Sequence, residues 1–393
     1  MGTIISRGLT FLAIILFLLS GSNPVNSQPI SSETPLTIYG VGNNYAQGMD
    51  SGRRLQVFNL VKDMGAYWVK DAQSWRQMEE EYRVAKVEEA VSQAHSLGLK
   101  YFVVLVLDSP RYGAVYPTDP VLFSEYLREF QDFLRRFALR IPVDGISIGT
   151  EMSGPQWWVP DGVLDNKTLV GSTSAYRQLY KAAKEVVPAN ILVVSSSGDS
   201  DYGWLSGWAS EMARAGFKPD AYAIYDYRFW TGVPYPYLWG PPENASVGDV
   251  KGNVEENIVY YQKLLGVPIV VTEAGYHHEG LRVDKLPISL RTHASLYARM
   301  AVFTAKAKPS GFFFHMATDD PDSKAGILND DLSPRSTYEL LSWLLPRMGS
   351  VRKISRQGDK WQAQADGGTI KWNTSTDYFE FTGNAGKLSW SVN

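Results

Sequence analysis

The stretch Val143-Asp-Gly-Ile-Ser-Ile-Gly-Thr-Glu151 sets the reading of this chain. A short β-branched run leads directly into a carboxylate, and loop residues Met-Ser-Gly-Pro follow, the pattern of a brief buried strand ending at a polar rim. A second stretch, Val267-Pro-Ile-Val-Val-Thr-Glu273, has the same construction and is followed by Ala-Gly-Tyr-His-His. Working outward, strand-like runs recur at Leu36–Val41, Tyr67–Asp71, Lys100–Leu107, Val143–Thr150, Ile191–Ser197, Ala221–Tyr227, Pro268–Glu273 and Gly311–His315. Between them lie amphipathic segments at Arg53–Met64, Tyr82–Leu97, Pro120–Phe137, Ala175–Val187, Val254–Leu265, Arg291–Ala307 and Arg335–Leu345, many closed by Gly or Pro. Strands alternating with helices predict βαβ units and a parallel sheet. The repeat count fits an α/β fold of the (β/α)8 TIM-barrel type better than a doubly wound sheet. Tyr39-Gly-Val-Gly-Asn-Asn lacks the third glycine of a dinucleotide-binding turn.

From Val351 the pattern changes to short alternating runs, VRKI, KWQAQA, TIKWNT, YFEFTG and KLSWSV, separated by Gly, Asp and Asn turns. These predict a small C-terminal antiparallel β appendage, too small to be stable alone and expected to pack on the barrel. At the other end, one Arg precedes an apolar run from Leu9 to Leu19, with Val25 and Ser27 in the spacing a signal peptidase accepts. The expectation is a signal peptide over residues 1–27, a barrel over 28–346 and a β-rich extension over 347–393, in a protein that is secreted or extracytoplasmic. The apolar run is short for the roughly 20 residues that span a bilayer, so stable membrane insertion after cleavage is not expected.

The chain contains no cysteine, so an exported protein of this size must rely on packing, without disulfides or Cys-based metal sites. Loss of a leader carrying one Arg takes the formal charge from -3 to -4, which offers polyanions such as nucleic acid no general attraction. Aromatic residues make up 13% of the chain, more than core packing usually calls for, and their flat faces suit sugar rings.

In a barrel of this type the site forms at the carboxyl ends of the strands, which singles out Glu151 and Glu273 after the fourth and seventh runs. Retaining cleavage of a glycosidic bond needs two carboxyl groups about 5 to 5.5 Å apart, one protonated to assist the leaving oxygen and one ionised to attack carbon. A lone Glu at a strand end would more readily be read as a salt-bridge partner. Two of them, in these ordinal positions, favour catalysis.

On these residues the chain resembles glycoside hydrolase clan A, the retaining barrel enzymes with catalytic Glu residues after strands four and seven. The likeness extends to Gly65-Ala-Tyr-Trp-Val-Lys-Asp-Ala-Gln-Ser-Trp75, similar to the second-strand motif of xylosidase-like members. It extends also to Ala325-Gly-Ile-Leu-Asn-Asp-Asp-Leu-Ser-Pro-Arg-Ser-Thr-Tyr338, similar to the stretch after strand eight. The resemblance implies Glu151 as acid/base and Glu273 as nucleophile. Most of the clan carries Asn before the acid/base, where this chain has Thr150; Gly149-Thr150-Glu151 with Thr272-Glu273-Ala274-Gly275-Tyr276 resembles a group of bacterial endo-β-mannanases. Lys70 stands where many relatives have an Arg that bonds the nucleophile, keeping the charge without the bidentate fork.

Other substrate-binding candidates follow from strand ends and rim loops: Trp75, Asp108, Tyr225, Tyr227, His277 and His315, with Tyr227 preferred as donor to the nucleophile. Trp157, Trp158, Trp230 and Trp239 are candidate sugar platforms, with loop packing the alternative for each. The adjacent His277 and His278 make a poor metal site without a third ligand, and no cofactor is implied. Asn166, Asn244 and Asn373 open N-glycosylation triplets. The expected activity is hydrolysis of a β-glycosidic bond in a polysaccharide or oligosaccharide by double displacement, endo-acting on a β-mannan-like chain. The alternatives are a non-catalytic carbohydrate-binding barrel and a transglycosylase using the same two Glu residues.

Overall fold

The computed structural model describes residues 39–152, 158, 166–196, 205–227, 242–243, 252–278, 288–319, 324–376, 378–383 and 386–390. Contacts divide the chain into Met1–Pro35 and Leu36–Asn393, and every described residue belongs to the second unit. Eight parallel strands close into a barrel in sequential order: β1 (Tyr39–Gly42), β2 (Trp68–Ser74), β3 (Lys100–Val106), β4 (Gly145–Ile148), β5 (Leu192–Ser195), β6 (Ala221–Tyr227), β7 (Ile269–Gly275) and β8 (Gly311–His315). The helices that follow them in turn are α1 (Ser51–Asp63), α2 (Glu81–Ser96), α3 (Pro120–Arg140), α4 (Asn166–Val186), α5 (Leu205–Arg214), α6 (Val254–Leu265), α7 (Leu290–Ala307) and α8 (Ser336–Met348). The predicted fold class is thus the observed one. No helix among the described residues is long and apolar enough to cross a membrane.

Strand alternation sorts the core into two layers. Trp68, Phe102, Val104, Val194, Ala221, Ala223, Val270 and Phe313 fill the barrel interior, where the Phe102 and Phe313 rings lie 5.2 Å apart. The opposite parity, including Val69, Val103, Ile146, Val193, Ile224 and Phe312, packs outward in the larger cluster shared with the helices. β1 contributes little bulk to the interior. A Cβ on Gly42 would come within 2.8 Å of the Lys70 Cε, so the glycine leaves the space that the lysine stem occupies.

The last 40 or so residues form a five-stranded antiparallel meander, β9 (Val351–Gln357), β10 (Lys360–Ala365), β11 (Gly368–Asn373), β12 (Tyr378–Gly383) and β13 (Gly386–Trp390). Ala363, Ile370, Trp372, Phe379 and Phe381 are buried on one face. That face packs on the barrel helices, with Phe303 of α7 edge-on to Trp372 at 5.9 Å and Trp343 of α8 edge-on to Phe381 at 5.0 Å. The expectation that the appendage would not stand alone meets a sheet whose apolar face is completed by the barrel.

Candidate active site

The barrel-interior parity carries the site. Counting in steps of two from the interior residues gives Lys70 after Trp68, Tyr225 and Tyr227 after Ala223, and His315 after Phe313, so these side chains rise from the packed floor toward the carboxyl-end mouth. Glu273 would break this rule, because two-residue steps from Val270 reach Thr272 and leave Glu273 aimed at the helices. The register resolves it: Ile224 stands opposite Val271 but Tyr225 opposite Glu273, so β7 holds one extra residue against β6, and the β7–β8 pairing shifts at the same place. The irregularity absorbs Thr272 and turns Glu273 inward, a common use of bulges beside active sites.

Glu273 is clasped on both oxygens. The Lys70 ammonium lies 2.5 Å from Oε1, the Tyr227 hydroxyl donates to Oε2 at 2.6 Å, and His315 Nδ1 stands 4.0 Å from Oε2. The Lys70 side chain is 5% exposed and that of Glu273 is 20% exposed, so the pair is only partly screened. Burial alone would raise the Glu273 pKa. The Lys70 charge, the His315 charge and the hydrogen bonds from Lys70 and Tyr227 outweigh it and bring the carboxyl down to about 2. Glu273 is therefore ionised across the working pH range. The Tyr227 ring meets His315 edge-on at 5.8 Å, which fixes the donor.

Glu151 lies just beyond β4, on the turn Gly149-Thr150-Glu151. Gly149 has φ of 90° and Glu151 has φ of 44°, a left-handed conformation that costs a non-glycine residue about 1 kcal/mol or more. The turn is held by Tyr225, whose buried hydroxyl accepts the Glu151 backbone N–H at 3.1 Å and shares a hydrogen bond of 2.8 Å with Thr150 Oγ1. Tyr225 stands opposite Glu273 in the strand register, and its hydroxyl supports the Glu151 backbone. Burial, then the charge of Glu273, then that of Glu151 raise the Tyr225 pKa, which keeps the phenol protonated.

The remaining candidates divide. Asp108 sits at the rim after β3 in an ion pair of 2.9 Å with Arg76. Trp75 is not a sugar platform: it is 2% exposed, stacked on Phe133 at 5.5 Å under α3. Trp158 is likewise core, fully buried, with its indole N–H donating to the Ser172 carbonyl at 3.1 Å. Both corrections have one cause, since an aromatic ring at a strand end or in a rim loop serves the core as readily as the mouth. His277 is buried, and its Nδ1 accepts the Lys324 N–H at 3.3 Å, which places it in a contact between the β7 and β8 loops. Trp157, Trp230 and Trp239 lie outside the described residues, as does the predicted leader.

Sequence reading missed a support beneath the rim. Arg335 of the Pro-Arg pair before α8 donates to both oxygens of Asp319 at 3.0 and 2.9 Å, to the Gly326 carbonyl at 2.8 Å and to His278 Nε2 at 2.7 Å. Burial alone would raise the Asp319 pKa, but the contact with His278, the hydrogen bonds from Arg335 and the Gly326 N–H, and the guanidinium charge outweigh it and hold the carboxyl far below the usual range. The cluster ties the loops after β7 and β8 together, and it gives His278 a structural occupation. Among the described residues no group of three or more acidic or His side chains could hold a metal ion.

No protein-family model matches the sequence, and no curated protein is similar to it. Solved structures share the fold. GH5_18 from Streptomyces cattleya in complex with Manb1-4GlcNAc superposes with a TM-score of 0.55 at 15% identity, over 79% of this chain and 80% of that one. Fungal beta-1,4-galactanases superpose at 0.56 and 14% identity, over 78% of this chain and 99% of theirs. A glycoside hydrolase family 30 subfamily 8 xylanase from Clostridium acetobutylicum gives 0.53 at 10% identity, over 85% and 79%. The chain thus has the barrel fold of the clan A glycosidases.

Proposed function

We propose that this chain is a retaining glycoside hydrolase of clan A that cleaves β-glycosidic bonds outside the cell, with Glu273 as nucleophile and Glu151 as acid/base. The observation that carries the reading is the clasped, ionised Glu273, whose strand neighbour Tyr225 holds the backbone of a second acidic residue, Glu151, on a strained turn. A permanent charge at the barrel mouth, bonded by a lysine and a tyrosine, suits attack on an anomeric carbon.

In the first step a Glu273 oxygen bonds the anomeric carbon as the carbon–oxygen bond to the leaving sugar breaks, and the Glu151 carboxyl proton passes to that leaving oxygen. Loss of charge on Glu273 then favours ionised Glu151. In the second step Glu151 takes a proton from water, the water oxygen bonds the anomeric carbon, and Glu273 departs as carboxylate with the β configuration restored. Lys70 and Tyr227 orient the nucleophile before attack and receive its charge again at the end.

For the substrate we favour a β-mannan or similar β-linked chain. Thr150 before the acid/base and the Thr272-Glu273-Ala274-Gly275-Tyr276 motif support it, as does a structural neighbour crystallised with Manb1-4GlcNAc. Glu273→Gln is expected to lower turnover on the best of a panel of mannans, galactans, xylans and glucans by more than about a thousandfold while oligosaccharide binding persists. Turnover that survives this substitution would contradict the nucleophile assignment.

A further inference from the structure

A second cavity lies far down the chain from the two carboxylates, on the terminal sheet. Its volume is about 700 Å³, within the range of small-molecule sites, and it is lined by residues 355–357, 360–362, 371–373, 376 and 378. The strand register explains its chemistry. Ser355 faces Gln362, Gln362 faces Lys371, Lys360 faces both Gln357 and Asn373, and Asn373 faces Tyr378. These side chains have the parity opposite to the buried Ile370, Trp372 and Phe379, so they share the face turned away from the barrel helices. One polar surface is thereby built across β9 to β12.

The charge on that surface is one-sided. Lys360 and Lys371 are exposed, and neither takes part in an ion pair among the described residues. The carboxylate opposite Lys371 is Glu380, but Glu380 is taken by Lys387 at 2.8 Å and by the Tyr378 hydroxyl. Arg356 stands opposite Trp361 in the register and lies over that ring at 5.1 Å, with its Nε donating to the Gly358 carbonyl at 2.8 Å, so it belongs to the other parity and does not share the outward face with the two lysines. No described lining residue is acidic. Between the cations stand the amides of Gln357, Gln362 and Asn373, which suit hydroxyl pairs, beside one phenol ring.

We propose that this face is a saccharide-binding site, separate from the barrel mouth, for a glycan chain bearing carboxylate groups. Lys360 and Lys371 receive the carboxylates and the amides read the hydroxyls. The whole chain has a net charge of -3, so a polyanion meets no general attraction and its retention depends on this local patch.

The test uses the full chain carrying Glu273→Gln, so that no turnover occurs, titrated by calorimetry with tetragalacturonate, with mannotetraose and inorganic phosphate as controls. Tetragalacturonate is expected to bind, to weaken with salt, and to lose at least about tenfold in affinity in the Lys360→Ala, Lys371→Ala double variant. The same double substitution in the unmodified chain is expected to leave hydrolysis of soluble substrate unchanged, which separates this site from the mouth. Absence of uronate binding, equal binding by the double variant, or equal competition by mannotetraose or phosphate would overturn the proposal. None of these outcomes bears on Glu273 as nucleophile.

Discussion

Glu273 and Glu151 are held in different ways. Glu273 has a cation on one oxygen and a phenol on the other, so its charge is stabilised before substrate arrives. The Glu151 backbone N–H donates to the Tyr225 hydroxyl, and the residue sits on a left-handed turn with φ of 44°. Lys70→Met therefore removes the largest influence lowering the Glu273 pKa and leaves burial less opposed. The acid limb of kcat/KM is expected to move upward by about one pH unit or more, with a loss of at least about tenfold at neutral pH, measured on a soluble substrate. An unmoved limb would assign Lys70 a packing role only. Because the folded value of about 2 lies below the ordinary 4.5, the clasp contributes stability fully above about pH 4.5 and loses it as pH falls toward 2. At this scale much was legible. Strand ends pointed to Glu273, Tyr227 and Lys70, and these three side chains meet, Lys70 and Tyr227 each bonding Glu273, while Glu151 lies on the turn just beyond β4. Trp75 and Trp158 were misread because sequence gives the place of a ring near a strand end or in a rim loop and not whether it packs into the core or faces the mouth.

Among the elements, β7 is the one whose irregularity matters most. Its Val-Val-Thr run reads as a plain buried strand, yet the one-residue shift against β6 decides whether Glu273 faces the mouth. No residue type announces that shift, since Thr272 differs little from its β-branched neighbours in strand preference. Helix α5 was missed for a related reason. Leu205-Ser-Gly-Trp-Ala-Ser-Glu-Met-Ala-Arg214 carries Gly and two Ser, poor helix formers, and its burial of Trp208, Ala209 and Met212 supplies what propensity lacks. A third element-level feature is a buried ion pair joining the loop after β6 to α7 and the terminal sheet. Glu243 accepts from Arg299 at 3.3 Å and from the Trp372 indole at 2.5 Å, and both charged side chains are 2% exposed. Arg299→Met leaves Glu243 buried without its cation, and unfolding in denaturant is expected to report a loss of roughly 3 to 5 kcal/mol. A change below about 1 kcal/mol would mean that Glu243 rearranges to reach solvent.

For the whole molecule, eight strand-like runs with helical segments between most of them were enough to predict the barrel, and the switch to short alternating runs after Val351 was enough to predict the sheet. What the pattern could not carry was the tie between the last two rim loops, because His278 follows β7 while Asp319 and Arg335 follow β8, and they meet only after the barrel closes. The sheet's outward face is a similar case, since its cations become one patch only through the register of four strands. The account as a whole turns on a covalent bond between sugar and Glu273. Its most direct test is intact and peptide mass spectrometry of the chain after incubation with a panel of 2-deoxy-2-fluoro β-glycosyl fluorides. The account predicts the mass of one added glycosyl group, mapped to the peptide containing Glu273 and missing from Glu273→Gln. Turnover of these or of natural β-glycosides with no adduct and with α-configured first product would contradict it.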